Sequence, residues 1–330
     1  MAPPVNSSEF ITNERENILS LLKAAHRGDI TTLDQKLSEL STTYGQSKGD
    51  TLIRSRDGQD DTALHKASYL GLVEVIQYLL SDEVFRDAPG TKAIFVELRN
   101  KDRKTAVHIA VEEGHQDYLE ALHQRNANLE TPNRFGWTAL VVAVNAYIEE
   151  SIEAATDRAI SQSPYLQTPN ANPPRHNPWR AIVDYLIHAG VNLNAQNVIR
   201  DTALHHAARQ KNLQMVRLLL RSGAAPDLRN HAGHTPLHVA VLRPGSLECA
   251  QELLYYDVNP NNQENNLGYS ILHSAVRDDN VNMIELLLDN GADEKLRNRA
   301  HLTSFELAQL YGEEAKAFFI NRMIDQSWNS

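Results

Sequence analysis

The sequence predicts an all-α repeat solenoid, and three observations predict it. A short pattern headed by Thr or Ser recurs at Thr62, Thr105, Thr138, Thr202, Thr235 and Ser270, with a degenerate seventh copy at Thr303. Successive heads lie 43, 33, 64, 33, 35 and 33 residues apart, so the period is 33 with additions of 10, 31 and 2. Five residues after each head stands an alanine (Ala67, Ala110, Ala143, Ala207, Ala240, Ala275, Ala308), and five before it an Asp or Asn (Asp57, Asn100, Asn133, Asn197, Asn230, Asn265, Asn298). Columns reused at a fixed period are the signature of a repeat architecture, in which each unit presents the same faces to the unit before and after it.

Each unit starts with a turn. The Asp or Asn column suits it, because that side chain can accept hydrogen bonds from its own backbone a few residues on. Thr or Ser before an apolar run is a helix N-cap, its oxygen accepting from an exposed backbone N–H. The alanine column marks a place where two helices approach too closely for a larger side chain. A second helix follows in most copies, with paired apolar residues at Leu79-Leu80, Leu186-Ile187, Leu219-Leu220, Leu253-Leu254 and Leu287-Leu288. Gly190, Gly223 and Gly291 then end it, with Asn126 and Asp257 in the same column elsewhere; these residue types tolerate the left-handed backbone that ends helices. No unit alone can bury its apolar face, so stacked neighbours supply the core.

At these residues the chain resembles the ankyrin-repeat family, whose signature has the form T-P-L-H-x-A at period 33. Thr235-Pro-Leu-His-Val-Ala240 matches it in full, and the resemblance covers roughly residues 58 to 312. It implies a β-turn or hairpin finger and an antiparallel helix pair in each unit. It implies also that His65, His108, His205, His238 and His273 satisfy backbone groups between repeats. Upstream, Ala24-Ala-His-Arg-Gly28 aligns with Ala67 to Gly71. The expected organisation is a mobile tail over 1–14, a degenerate N-terminal capping repeat over 15–55, repeats over 56–298 and a C-terminal capping repeat over 299–330.

Two insertions interrupt the repeats. The one within 81–97 is expected to lengthen the connection into the next finger. Its residues Ala88-Pro-Gly-Thr and Val96-Glu-Leu-Arg-Asn100 resemble a lengthened finger in the IκB branch of the family. The one near 148–178 begins with a helical stripe, Ile148, Ile152, Ala155 and Ala159, expected to prolong the preceding helix. It continues through five prolines between Pro164 and Pro178, expected to be extended.

Composition narrows function. Against 32 Lys and Arg stand 42 Asp and Glu, a net charge of −10, which disfavours sequence-independent nucleic-acid binding through phosphate contacts. No apolar run approaches the roughly 20 residues of a spanning helix, and the first residues lack the basic start and apolar core of a signal peptide. One cysteine, Cys249, excludes an internal disulfide and fits a reducing compartment, so a cytoplasmic or nuclear location is expected. The fourteen histidines show no metal-ligand spacing, and no nucleophile elbow, phosphate loop or dinucleotide fingerprint occurs. Neither a metal, a cofactor nor an enzymatic activity is expected.

The resemblance implies partner binding through finger tips and the exposed ends of the first helices. By register these include Tyr69, Arg134, Phe135, Trp137, Ile199, Arg209, Arg243, Tyr269, Arg277 and Tyr311. The positions so assigned carry Lys101, Lys104, Arg134, Arg209, Arg243, Arg277 and Arg299 against Asp61, Asp102, Glu112, Glu113, Asp201 and Asp278, a net +1. Arg209, Arg243 and Arg277 fall at nearly the same column of three consecutive first helices and are expected to form a basic ladder for an acidic or phosphorylated partner segment, around an aromatic anchor. The expected function is a non-enzymatic interaction scaffold or inhibitor. Two alternatives stay open: an IκB-like regulator masking a transcription factor, and a bacterial or viral effector capturing a host protein.

Overall fold

A computed structural model of the protein describes residues 7–147 and 177–328. Among the described residues every named element is a helix, with one isolated antiparallel bridge between Gln263 and Ser270. The chain forms two units, residues 1–191 and 192–330.

Unit 1 opens with α1 (Ser7–Arg27), α2 (Ile30–Tyr44) and α3 (Lys48–Arg54). Helix α1 begins at Ser7, within the segment 1–14 expected to be a tail, and residues 1–6 lie outside the described residues. Asp29 caps α2 by accepting from the Thr32 N–H, and Gly45 ends it at φ 58°, a left-handed conformation that a glycine adopts without strain. Ala24 and Ala25 are buried like the alanines of the later repeats, but among the described residues no finger precedes this helix pair.

Three regular helix pairs follow: α4 (Ala63–Ser68) with α5 (Val73–Leu79), α7 (Ala106–Glu112) with α8 (Gln116–Gln124), and α9 (139–147) with α10 (Pro178–His188). Asn177 caps α10 and Pro178 sits in its first turn, where a missing N–H costs nothing. The expected helical stripe and all but the last of the expected extended prolines lie outside the described residues.

The added residues of 81–97 lengthen the connection between α5 and the finger Asn100–Lys104, as expected; they fold as a turn and α6 (Thr91–Val96), and the finger itself has regular length. Phe85 and Phe95 are buried there with ring centroids 5.9 Å apart. Helix α3 meets this small core at Gly49, where a Cβ would come within 2.7 Å of the Phe85 ring. Burial of two phenylalanines, each worth about 1.5–3 kcal/mol, explains why these residues fold inward rather than extend a finger.

Unit 2 stacks α11 (Ala203–Arg209) with α12 (Leu213–Arg221), α13 (Pro236–Val241) with α14 (Leu247–Leu254), α15 (Ile271–Arg277) with α16 (Val281–Asp289), and α17 (Ser304–Tyr311) with α18 (Glu313–Trp328). All seven column alanines are essentially inaccessible. The residues ending the second helices, Gly190, Gly223, Gly291, Asn126 and Asp257, all have positive φ, as their types foretold. No helix of the described residues is long and apolar enough to cross a membrane.

Candidate protein-binding face

The fingers are held by one repeated arrangement. In each regular finger the Asn or Asp Oδ1 accepts two backbone N–H groups: Asn100 from Asp102 and Lys104, Asn197 from Ile199 and Asp201, Asn230 from Ala232 and His234, at 2.9–3.0 Å. The finger before Ser270 departs from the column. It is one residue longer, closed by Glu264 N–H to the Tyr269 carbonyl, and its N–H groups are taken by the Glu264 carboxylate instead of Asn265. A longer side chain spans the longer loop, and Asn265 turns to the His231 carbonyl of the finger before.

Behind each finger, the head Thr or Ser and the motif histidine form a capping box. The His205 Nδ1 accepts from the Thr202 N–H and hydroxyl at 3.1 and 2.8 Å, which leaves Nε2 to carry the proton and donate. It donates to the His234 carbonyl of the next finger at 3.1 Å. Equivalent bonds run from His65 to Lys104, from His108 to Trp137 and from His273 to Leu302. These four histidines therefore do what the resemblance implies, and burial holds their pKa values down, that of His108 to about 4. His238 is the exception: its Nε2 is buried without a hydrogen-bond partner, and burial pushes its pKa down to about 3. Where the motif histidine is replaced by Val141, it is the head Thr138 whose hydroxyl is left unpartnered.

The predicted contact residues divide by what surrounds them. In unit 1, Arg134 donates to Asp102 at 2.6 Å and lies 4.6 Å over the Phe135 ring, whose centroid is 5.6 Å from that of Trp137. Phe135 remains 44% exposed, so one finger presents an aromatic pair braced by a cation. Tyr69 is half-buried with the Lys66 ammonium 5.6 Å above its ring. Lys66, absent from the predicted contacts, joins Asp57 and Asp61 at 2.6 and 2.8 Å; the column four residues after each head was the signal that could have found it.

In unit 2, Val198, Ile199 and Leu267 are exposed at finger tips, 60%, 51% and 56%. Tyr269 is half-buried and stacks on His273. Tyr311 is 69% exposed at the end of α17. The basic ladder is not a row of free cations. Arg209 donates at 2.6 Å to the fully buried Asp201, whose other oxygen accepts from Asn230 at 2.8 Å. Burial alone would raise the Asp201 pKa, but Asn230 and Arg209 more than offset it, so the carboxylate stays ionised. Arg277 pairs with Asp278 at 3.0 Å, and Arg243 alone of the three is exposed without an ion pair among the described residues. Position in the column could not reveal this, because the neutralising acid comes from the finger for Arg209 and from the next residue, at the end of α15, for Arg277.

Among the described residues no group of three His, Cys, Asp or Glu side chains could hold a metal ion. Cys249 is buried and its thiol pKa is raised to about 11, opposite to what a nucleophile needs.

The ankyrin-repeat profile matches residues 102–134, 176–264 (three copies) and 267–295. The human SH3 and multiple ankyrin repeat domains protein 2 is 31% identical over 136 residues, covering 41% of this chain and 7% of that protein. The mouse B-cell lymphoma 3 protein homolog is 35% identical over 144 residues, 42% of this chain and 32% of the relative. The chain thus spans a third or less of these curated relatives. The crystal structure of the human ASB11 ankyrin repeat domain aligns with a TM-score of 0.53 at 21% identity, over 79% of this chain and 97% of that one, which is a likeness of fold. With the recurring signature, the finger and helix-pair geometry and these matches together, the chain belongs to the ankyrin-repeat family.

Proposed function

We propose that the protein is a non-enzymatic interaction scaffold or inhibitor that docks a partner protein on its finger tips and inner helices. The observation that carries this reading is the exposure of large apolar side chains on rigid fingers: Phe135 beside Trp137 in unit 1, Val198, Ile199 and Leu267 in unit 2. Finger backbones tied by repeated side-chain and inter-finger bonds lose little entropy on binding, so exposed aromatic and aliphatic tips there act as preorganised anchors. A cytoplasmic or nuclear setting, where thiols stay reduced, suits the single unpaired cysteine. Arg243, the one uncommitted cation of the column, supports an acidic stretch in the partner.

The test is affinity capture from the native cell with wild type, Phe135→Asp, Ile199→Asp and Arg243→Glu. These exposed changes should shift stability by no more than about 0.5 kcal/mol. At least one should reduce recovery of a partner roughly tenfold, the scale of a modest hot spot. Partners recovered equally by all four proteins would sink the proposal. Arg209→Glu is unsuitable, since it sets a second carboxylate beside the buried Asp201 and tests folding rather than binding.

A further inference from the structure

Within unit 2, each junction between fingers uses the same two bonds. The following finger donates one backbone N–H to a carbonyl of the preceding one: His231 to Ile199 at 3.0 Å, Asn265 to Ala232 at 2.8 Å, Arg299 to Leu267 at 2.9 Å. The preceding finger sends a side chain forward to a carbonyl of the following one: Gln196 to Arg229 at 3.1 Å, Arg229 to Gln263, and Gln263 to Arg297 at 2.9 Å. The incoming backbone thus offers a carbonyl and, two residues later, an N–H on one side (229 and 231, 263 and 265, 297 and 299). An extended strand presents its edge in that way.

The last finger carries the same groups, and among the described residues no finger follows it. The Ala300 carbonyl stands where those of Ile199, Ala232 and Leu267 stand, and among the described residues nothing donates to it. Arg297 stands where Gln196 and Arg229 stand, and its guanidinium turns back to the His301 carbonyl and to Glu306 at 3.0 Å. Arg297, Arg299, Ala300 and His301 are all exposed, and Arg299 makes no ion pair among the described residues. Of the local charges, Arg297 and Arg299 are positive, opposed by Glu306 alone among their bonded partners.

We propose that the outer edge of this finger, Arg297–His301, docks an extended acidic segment of a partner polypeptide, which joins the row of fingers as one more backbone. An N–H of the segment meets the Ala300 carbonyl, a carbonyl two residues earlier draws the Arg297 guanidinium forward, and acidic side chains lie along Arg297 and Arg299. The three preceding junctions show the backbone chemistry, and the local basic charge selects the sign of the segment. This edge shares Arg299 with the finger positions assigned above, but none of the apolar anchors Phe135, Val198, Ile199 and Leu267.

The test uses the full chain, isotope-labelled, with two capped six-residue peptides of alternating Glu and Thr or Lys and Thr at millimolar concentration. Backbone amide shifts over residues 297–303 should saturate with the Glu peptide and require about tenfold more of the Lys peptide, as charge complementarity demands. N-methylation of alternate Glu-peptide amides should weaken binding at least several-fold in one of the two registers. Arg299→Glu, which breaks no bond in the fold, should reverse the preference. No shift at 297–303, equal binding of both peptides, or indifference to N-methylation in both registers would overturn the proposal. Shifts abolished by Ile199→Asp or Phe135→Asp would place the peptide on the tips, overturning this inference while leaving the function proposed above intact.

Discussion

The fingers Asn230–His234 and Glu264–Tyr269 of unit 2 are consecutive, yet they solve the same closure with different residues. In the first, Asn230 takes two N–H groups and donates to the buried Asp201, and the His234 carbonyl receives His205. In the second, one extra residue moves the cap to Glu264, and His238 is left with a buried Nε2 that reaches no acceptor. The lengthened loop keeps its own hydrogen bonds and its bonds to the finger before, and loses only the one from the motif histidine. Local closure and the histidine link between repeats are therefore separable, and an unsatisfied buried group of this kind costs about 1–3 kcal/mol.

Breaking each finger should expose the difference. Asn230→Ala strips a buried carboxylate oxygen of its donor and orphans two N–H groups, for an expected loss of about 3–5 kcal/mol in urea unfolding. Glu264→Ala frees N–H groups in a largely exposed loop that water can reach, for about 1 kcal/mol. Equal losses would show that the buried link to Asp201 does not set the difference.

Acid should act next. The folded pKa values of the motif histidines lie below the usual 6.5, so the unfolded chain binds more protons. Their contribution is complete above about pH 6.5 and is lost as pH falls, for His108 down to about 4 and for His238 down to about 3. His108 alone accounts for about 3 kcal/mol at the acid end. Stability measured from pH 7 to 4 should fall steeply, and His238→Gln should flatten the profile; an unchanged slope would contradict the burial of a neutral imidazole.

A smaller effect separates two histidines. His205→Ala removes a bond to the next finger that His238→Ala does not, so it should cost about 1–2 kcal/mol more. Smallest, shortening the second finger by deleting Asn266 with Glu264→Asn should let the Tyr269 carbonyl meet His238 and return about 1 kcal/mol. No gain would mean that the orphaned nitrogen has another origin.

Much of the fold was legible because the same contact recurs every 33 residues, so each column samples one environment several times. The alanine column and the left-handed column were both read correctly from residue type. Asn265 shows where counting fails: it stands five residues before Ser270, but the finger there is one residue longer, so Glu264, six residues before, takes the role. Only backbone geometry reveals which of two neighbours faces the loop. In the segment 81–97 the lengthened connection was legible but its helix was not, since Phe85 and Phe95 found a partner surface on α3, more than 30 residues upstream. The candidate face was legible in position but not in charge. Arg209 was identified as a surface cation, and it is one, but half of an ion pair whose acid is fully buried.

The sequence by itself determined the period, the helix pairs, the caps and which residues stand at finger tips, because those follow from short-range backbone preference and from burial repeated at fixed spacing. Only the tertiary structure decided which cations are neutralised, where an insertion comes to rest and which buried nitrogen lacks a partner. Those depend on atoms brought within about 3 Å by stacking, a distance that no column of residue types encodes.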